Sequence, residues 1–438
     1  MLTHTAGEAV FAYRGAEPIR AAQFLAEAHA LAAALPSGQH LINVCTDRYH
    51  FAVGLTAALL AGKVSLLPPS HTPEVVHHLR QFAPDVFCLT DRTDCPIDLP
   101  QVQLGHRAAR PGAWVVPSLA AETLVAHVFT SGSTGVPVPH PKTWGRLVQC
   151  VRDGAQALGV APGTALLATV PPQHMYGFES SVLLALLAGA ALVAERPFYP
   201  ADVALALAAL PRPRALVSTP IPLRALLALP QALPAADLLL CATAPLDAEL
   251  AREAELRFGA PLMEIYGSTE TGQLATRRSA HESPWRLLPG IHLSLESGRA
   301  WARGGHLEQP TALCDELQIL PDGRFHLQGR LADLVNIAGK RSSLAYLTHQ
   351  LLAIEGVRDG AFFLPERPAP GQTGVSRLAA AVVAPGLESS ALLAALRERI
   401  DPVFLPRPLL LLEALPRNST GKLPQEALCA LTAPRPDA

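Results

Sequence analysis

Apolar runs of strand length alternate with runs of helix length along most of this chain. "HLINVCT" precedes the helix-like "YHFAVGLTAALLAG", and "VSLLP" precedes "TPEVVHHLRQF" and then "DVFCLTD". "ALLATV", "SSVLLALLAG", "AALVAE", "DVALALAAL", "ALVST" and "DLLLCAT" continue the alternation. A parallel strand pair needs a long crossover, and a helix is what fills it. The expected fold is therefore α/β, with mostly parallel sheets and helices in a large N-terminal domain over residues 1–330. Such sheets bind ligands outside the carboxyl ends of their strands. The character changes near Gly329 to Asp333. "DLVNIAGKRSSLAYLTHQLLAIEGV", "GAFFL" and "RLAAAVVAP" read as a small α+β domain over residues 331–438.

Composition narrows the classes of function. With 438 residues, 49% of them apolar and 16% charged, the chain buries a large core and is not disordered. A net charge of −2, with no long basic block, argues against nucleic acid as the partner. Seven scattered cysteines include no C-x-x-C pair, so a reduced, cytoplasmic setting is expected and structural zinc is not. His71, His77 and His78 do not change that, because adjacent histidines on a helix point apart. The start "MLTHTAGEAVFAYRG" does not read as a signal peptide. The longest apolar run, in "SSVLLALLAGAALVAE", is about 14 residues, short for a membrane span. The Ala- and Leu-rich helical stretches recur at no fixed period, which excludes a solenoid.

Against this background "VFTSGSTGVPVPHPKTWG", Val128 to Gly145, stands out. An apolar run ends at Phe129, and Thr130, Ser131, Gly132, Ser133, Thr134 and Gly135 follow. Small hydroxyl residues and flexible backbone suit a nest of N–H groups for phosphate. They also suit a flexible linker. The nucleoside-triphosphate pattern G-x-x-x-x-G-K-[ST] does not fit, since no Gly-Lys follows.

Four more stretches carry polar residues that a core does not select. "PPQHMYGFE" offers His174, Tyr176, Gly177 and Phe178, either a pocket wall or a structural histidine with its neighbours. "MEIYGSTETGQ" crowds Tyr266, Gly267, Thr269 and Glu270 after an apolar lead. An aromatic to stack on a base, a donor to phosphate and a carboxylate for a hard cation is one reading. A helix N-cap is the other. "CDELQILPDGRFHLQGR" is a hairpin with Asp-Gly at its tip, flanked by Asp315 and Arg330, which a surface ion pair also explains. "NSTGK" places Lys422 in a Ser-Thr-Gly loop, where a lysine is usually solvated but is able to swing into a site.

Together these stretches resemble the adenylate-forming superfamily of acyl- and aryl-CoA ligases, nonribosomal peptide adenylation domains and luciferases, from about Asn43 to Lys422. "FTSGSTGVP" resembles its phosphate loop, "EIYGSTETG" its tyrosine-glycine-x-threonine-glutamate motif and "CATAPL" its adenine loop. "GRLADLVNIAGKR" resembles its hinge and "NSTGK" its C-terminal lysine. The resemblance implies an AMP-forming acid–thiol ligase whose small mobile domain, carrying the catalytic lysine, joins the large one at a hinge. It implies ATP and Mg²⁺ as cofactors, a carboxylic acid as substrate, and CoA or the phosphopantetheine of an acyl carrier protein as acceptor. Thr130, Ser131, Gly132, Ser133, Thr134 and Gly135 then wrap the triphosphate. Tyr266, with Gly267, stacks on adenine, and Thr243, Ala244 and Pro245 line its edge. Thr269 contacts the α-phosphate, Glu270 binds the metal, and Asp315 and Arg330 hold the ribose. Lys422 bridges the acid and the α-phosphate, while Gly339 and Arg341 line the thiol tunnel.

The resemblance has departures. Val138 follows Pro137 where the family usually has lysine, which leaves Lys142 as a substitute, and Ala332 replaces the usual acidic hinge residue. "HMYGFESS" is closer to the His-x-x-Gly of acyl and aryl ligases than to amino-acid adenylation domains, although Glu179 offers an amine ligand. "PHPKTWG" and "GKRSSL" resemble short ligases of aryl-polyene and pigment pathways. This favours an aryl acid such as a hydroxybenzoate. A medium-chain fatty acid and a non-catalytic nucleotide-binding relative are the alternatives.

Overall fold

The computed structural model describes residues 1–68, 70–105, 114–130, 137–330, 334–337, 340–365, 378–400, 402–418 and 421–432. The chain forms two compact units, one of Met1–His292 with Ala302–Thr311, the other of Leu293–Trp301 with Ala312–Ala438.

The first unit is built on two sheets. In chain order its strands are β1 (Val10–Arg14), β2 (Glu17–Arg20), β3 (His40–Asn43), β4 (Val64–Leu67), β5 (Phe87–Thr90), β6 (Gln101–Gln103), β7 (Leu124–Thr130) and β8 (Val138–Thr143). Then follow β9 (Ala165–Ala168), β10 (Ala191–Val193), β11 (Arg214–Ser218), β12 (Leu238–Cys241), β13 (Leu262–Ser268), β14 (Gly272–Arg277) and β15 (Arg286–Leu287). Among the described residues, one sheet has nine strands in the order β15-β14-β13-β12-β11-β9-β10-β1-β2, the other six in the order β6-β5-β3-β4-β7-β8. The pairs from β1 through β10, β9, β11 and β12 to β13 are parallel, as are all pairs of the six-stranded sheet except β7 with β8. Central strands β9, β11 and β12 are buried at every position, as expected when helices cover both faces. This is the α/β architecture that the alternating runs imply.

Local chemistry sets the helices. Trp144, Leu147, Val151, Ala155 and Leu158 recur at helical spacing and turn one face of Trp144–Leu158 inward. Gly159 ends that helix at φ 71°, in the left-handed region. Asp247 caps Ala248–Phe258 by accepting from the backbone of Glu249 and Leu250. The segment after His174 widens into a π-turn at Phe178–Leu183 before Leu184–Ala188 resumes as α-helix. Among the described residues no helix is long and apolar enough to cross a membrane.

The second unit is smaller. Asp315–Ile319 and Phe325–Arg330 form an antiparallel hairpin, as do Leu334–Ile337 and Lys340–Ser343. A three-stranded sheet of Asp359–Phe363, Ala379–Val383 and Leu409–Leu411 buries alternate residues on opposite faces. Phe362, Ala380 and Val382 pack with Leu347, Leu351 and Leu396. Phe363, Ala379 and Ala381 pack with Leu415 and Leu428.

Candidate active site

The hairpin joining β13 to β14 is the centre of the site. Residues 263–273 do not cap a helix: Tyr266 to Ser268 complete β13, Gly272 begins β14, and Thr269, Glu270 and Thr271 form the turn. The turn is held from inside, since Thr271 N donates to Ser268 Oγ at 3.2 Å and the two hydroxyls lie 3.1 Å apart. Gly267 is required by a close approach, because a Cβ there would stand 2.1 Å from the Gly272 carbonyl oxygen. Tyr266 is backed by Trp285, whose ring centre lies 5.6 Å away. The Arg277 guanidinium sits 4.3 Å over Trp285 and forms an ion pair with buried Glu264 at 2.7 Å.

Strand β8 reaches this turn from the other sheet. Its sequence, "VPHPKT", places proline at alternate positions. That is tolerated because β8 is an edge strand, whose outer side needs no donors. The period of two then turns Val138, His140 and Lys142 to one face. Lys142 Nζ donates to the Glu270 carbonyl at 3.1 Å. His140 Nε2 lies 2.9 Å from Thr130 Oγ1 and 3.8 Å from Glu270 Oε1. The start of the Ser/Gly stretch and the Glu270 turn therefore meet across one histidine.

Electrostatics follow from this crowding. Partial burial acts to raise the Glu270 carboxyl, but backbone and Ser268 hydrogen bonding and the charges of His140 and Lys142 outweigh it and hold the group below its ordinary value. Burial pushes His140 down; Glu270 opposes that and Lys142 adds to it. Burial also lowers Lys142, against the pull of Glu179, Cys150, Glu270 and Glu308. Magnesium bound to nucleotide needs only one or two carboxylates, with phosphates and water completing its shell. Glu270, ionised and 43% exposed, fits that donor set.

The remaining candidates are placed as follows. Tyr176 donates to the Ser218 carbonyl at 3.1 Å, which sets "HMYG" beside the carboxyl end of β11. Gly177 leaves no room for a side chain, as its Cβ would lie 2.0 Å from the Pro171 carbonyl oxygen. Phe178 is wholly buried in the main core. Gln173 donates to the Cys45 carbonyl at 2.9 Å, joining the loops that follow β9 and β3. Thr243 adopts φ 78°, so "CATAPL" makes a sharp left-handed bend after β12, with Thr243 and Pro245 exposed. In the second unit, Asp315 pairs directly with Arg330 in the hairpin register. Lys422 N donates to Asn418 Oδ1 at 2.9 Å, and the Lys422 carbonyl accepts from Asn418 N at 2.8 Å. Ser131 to Gly135 and Gly339, and the side chains of Arg330 and Arg341, lie outside the described residues.

His140, His306 and Trp285 were not singled out in the sequence. The alternating prolines of "PVPHPKT" are a signal for His140, since they fix which residues share its face. Nothing local marks His306, whose Nε2 stands 2.8 Å from the Thr271 carbonyl. It arrives from a remote segment.

A family model described as AMP-binding enzyme matches residues 6–296. A 4-coumarate–CoA ligase of Rhodobacter capsulatus is 32% identical over 308 residues, covering 69% of this chain and 75% of the relative. Another, from Halorhodospira halophila, is 30% identical over 67% of this chain and 73% of its own length. The solved structure of ATP-bound MatB from Rhodopseudomonas palustris shares the fold, with a TM-score of 0.81 at 20% identity over 98% of this chain and 97% of that one.

Proposed function

Because this chain belongs to the AMP-binding enzyme family and is an AMP-forming acid–thiol ligase, we propose that it activates an aromatic carboxylic acid as its adenylate and passes the acyl group to a thiol. What supports this reading is the meeting of Thr130, His140 and Glu270, which sets the phosphate-loop residue beside the turn carboxylate.

In the first half-reaction a carboxylate oxygen attacks the α-phosphorus of ATP. The bond from that phosphorus to the bridging oxygen breaks, and pyrophosphate leaves. Two anions must approach, so the barrier is largely electrostatic. Thr269 donates to the α-phosphate, and Lys422 supplies an ammonium between acid and phosphate. Glu270 would hold magnesium, which would supply positive charge to offset that of the phosphates. Tyr266, with Gly267 behind it, stacks on adenine, Thr243 to Pro245 follow its edge, and Asp315 with Arg330 takes the ribose hydroxyls. Ser131 to Gly135 complete the phosphate wrap, and His174, Tyr176, Gly177 and Phe178 shape the acid pocket. In the second half-reaction a thiol attacks the acyl carbon, AMP leaves with the bonding pair, and the thiol proton passes to solvent. Gly339 and Arg341 line the thiol's path. The small domain over residues 331–438 turns about the hinge near Ala332 between the two steps.

An aryl acid is favoured because 4-coumarate, named in two relatives, is aromatic, in line with the likeness of "PHPKTWG" and "GKRSSL" to ligases of aryl-polyene and pigment pathways. A hydroxybenzoate is the first acid to try. CoA is the first acceptor, with a carrier protein as the alternative. Seven cysteines without a disulfide fit a cytoplasmic enzyme.

The test is pyrophosphate release from ATP across a panel of aryl, fatty and amino acids, repeated with CoA and with a phosphopantetheine-loaded carrier protein. Aryl-dependent release is expected. Strongest release with medium-chain fatty acids would move the substrate class, and ATP binding without acid-dependent release would mark a non-catalytic relative.

A further inference from the structure

The carbonyls of the Glu270 turn are gripped from outside the hairpin. Lys142 takes that of Glu270 and His306 that of Thr271, at 3.1 and 2.8 Å. Beneath the turn lies Glu179, a buried carboxylate supplied by the π-turn of another segment. Cys150 Sγ donates to its Oε1 at 3.3 Å. A Cβ on Gly272 would come within 2.9 Å of the same oxygen, so the first residue of β14 rests on this carboxylate. Glu179 is therefore packed under the hairpin and is not presented to an incoming amine. Val138, on the same face as Lys142, is 45% exposed and uncharged, which leaves Lys142 as the cation that this strand turns toward the site.

We propose that Lys142 is a positioning residue of the ligase, pinning the Glu270 turn by its carbonyl with buried Glu179 as its counter-charge. This rests on the acid-activating reading above. With the main chain of Glu270 fixed by Lys142, its carboxylate is free to face magnesium and its neighbour Thr269 the α-phosphate. The energetic logic is that a buried carboxylate costs much unless a cation shares its surroundings. Burial lowers Lys142 and raises Glu179, and the charge of each opposes that shift in the other.

The test is a double-mutant cycle, run above about pH 7 so that the Glu179 carboxyl is ionised, read by calorimetric binding of magnesium-ATP and by acid-dependent ATP–pyrophosphate exchange. Lys142→Met is expected to weaken magnesium-ATP binding about tenfold, the loss of one charged hydrogen bond, while the KM for the acid stays unchanged. Lys142→Arg should recover part of the binding. Glu179→Gln should weaken it less, and should have little further effect once Lys142 is Met, because the two act as one unit. Lys142→Met binding magnesium-ATP as the parent does, or effects that simply add, would overturn the proposal. A general structural role is separated by the unchanged acid KM and by thermal melting of each variant. Parent enzyme that binds magnesium-ATP but shows no exchange with any acid would sink the acid-activating reading alone. The binding cycle would still decide Lys142.

Discussion

Lys142 and Glu270 stand 128 positions apart, yet Lys142 Nζ donates to the Glu270 carbonyl at 3.1 Å. That bond joins an edge strand of the six-stranded sheet to a hairpin of the nine-stranded one. Both come from the first unit, so adenylation chemistry on this side depends on how its two sheets meet.

On the proposed reading, the Glu270 carboxylate is the group of this turn that would bind metal. Glu270→Gln keeps size and hydrogen bonding but removes the charge. Acid-dependent ATP–pyrophosphate exchange should fall on the order of a hundredfold. Melting should barely move, since the side chain is 43% exposed. Exchange close to the parent's would remove Glu270 from the metal site.

Gly267 should tolerate no side chain. Its Cβ would stand 2.1 Å from a main-chain oxygen that cannot step aside without opening the hairpin. Gly267→Ala is expected to cost about 1–3 kcal/mol of stability and to depress exchange more than that loss explains. Chemical denaturation measures the first and exchange at low temperature the second. An alanine enzyme equal to the parent in both would show that the hairpin is laxer than the geometry implies.

Glu179 gives a pH signature. Burial raises its carboxyl to about 7, against the opposing effects of Lys142, Cys150 and Gln273. The folded state thus holds a proton that the unfolded state releases near the ordinary carboxylate value. Stability from this group is complete below that ordinary value and is lost as pH rises to about 7. Parent protein should lose on the order of 3 kcal/mol over that window relative to Glu179→Gln, whose amide does not titrate. Denaturant midpoints at a series of pH values would reveal it. Parallel curves for the two proteins would mean that Glu179 does not titrate there.

How much of this was legible beforehand differs by element. The alternation of apolar runs carried the parallel sheets, because burial on both faces leaves continuous stretches such as "ALLA" and "LLLC" in β9 and β12. "PDGRF" carried its hairpin, with Gly323 at φ 82° supplying the turn. "YGSTETG" drew attention through its polar crowding, but the same letters suit a helix cap. Only the pairing of Tyr266 with Ala275 across the hairpin separates the two. Lys142 was readable as a substitute for the family's lysine, and the prolines mark the face it shares with His140, but what the two residues touch was not readable. Their meaning lies in contact with a turn far along the chain, and no local pattern encodes which edge strand lies beside it. In sequence Glu179 offered only a minor possibility of an amine ligand, and its burial beneath Gly272 is a tertiary fact that no local pattern shows.

Lys422 offers the last expectation, and here the fold adds a supporting pair. Its turn runs from Asn418, which bonds both the amide and the carbonyl of Lys422, through Gly421 at φ 76°. Arg417 ties that turn down. Its Nη1 donates to the Gly421 carbonyl at 2.9 Å, and its Nε and Nη2 reach the Asp359 carboxylate at 2.8 and 2.7 Å. A two-pronged pair of this kind fixes direction as well as distance. Lys422→Ala should abolish acid-dependent exchange while leaving magnesium-ATP binding near the parent's. Arg417→Met should lose exchange by a smaller factor, about tenfold, because the ammonium remains but its turn is loosened. Adding Lys422→Ala to Arg417→Met should give no more than the lysine loss alone, since Arg417 acts through that lysine. Exchange by Lys422→Ala equal to the parent's would remove the lysine from the first half-reaction, and an Arg417→Met enzyme as dead as Lys422→Ala would assign Arg417 a role of its own.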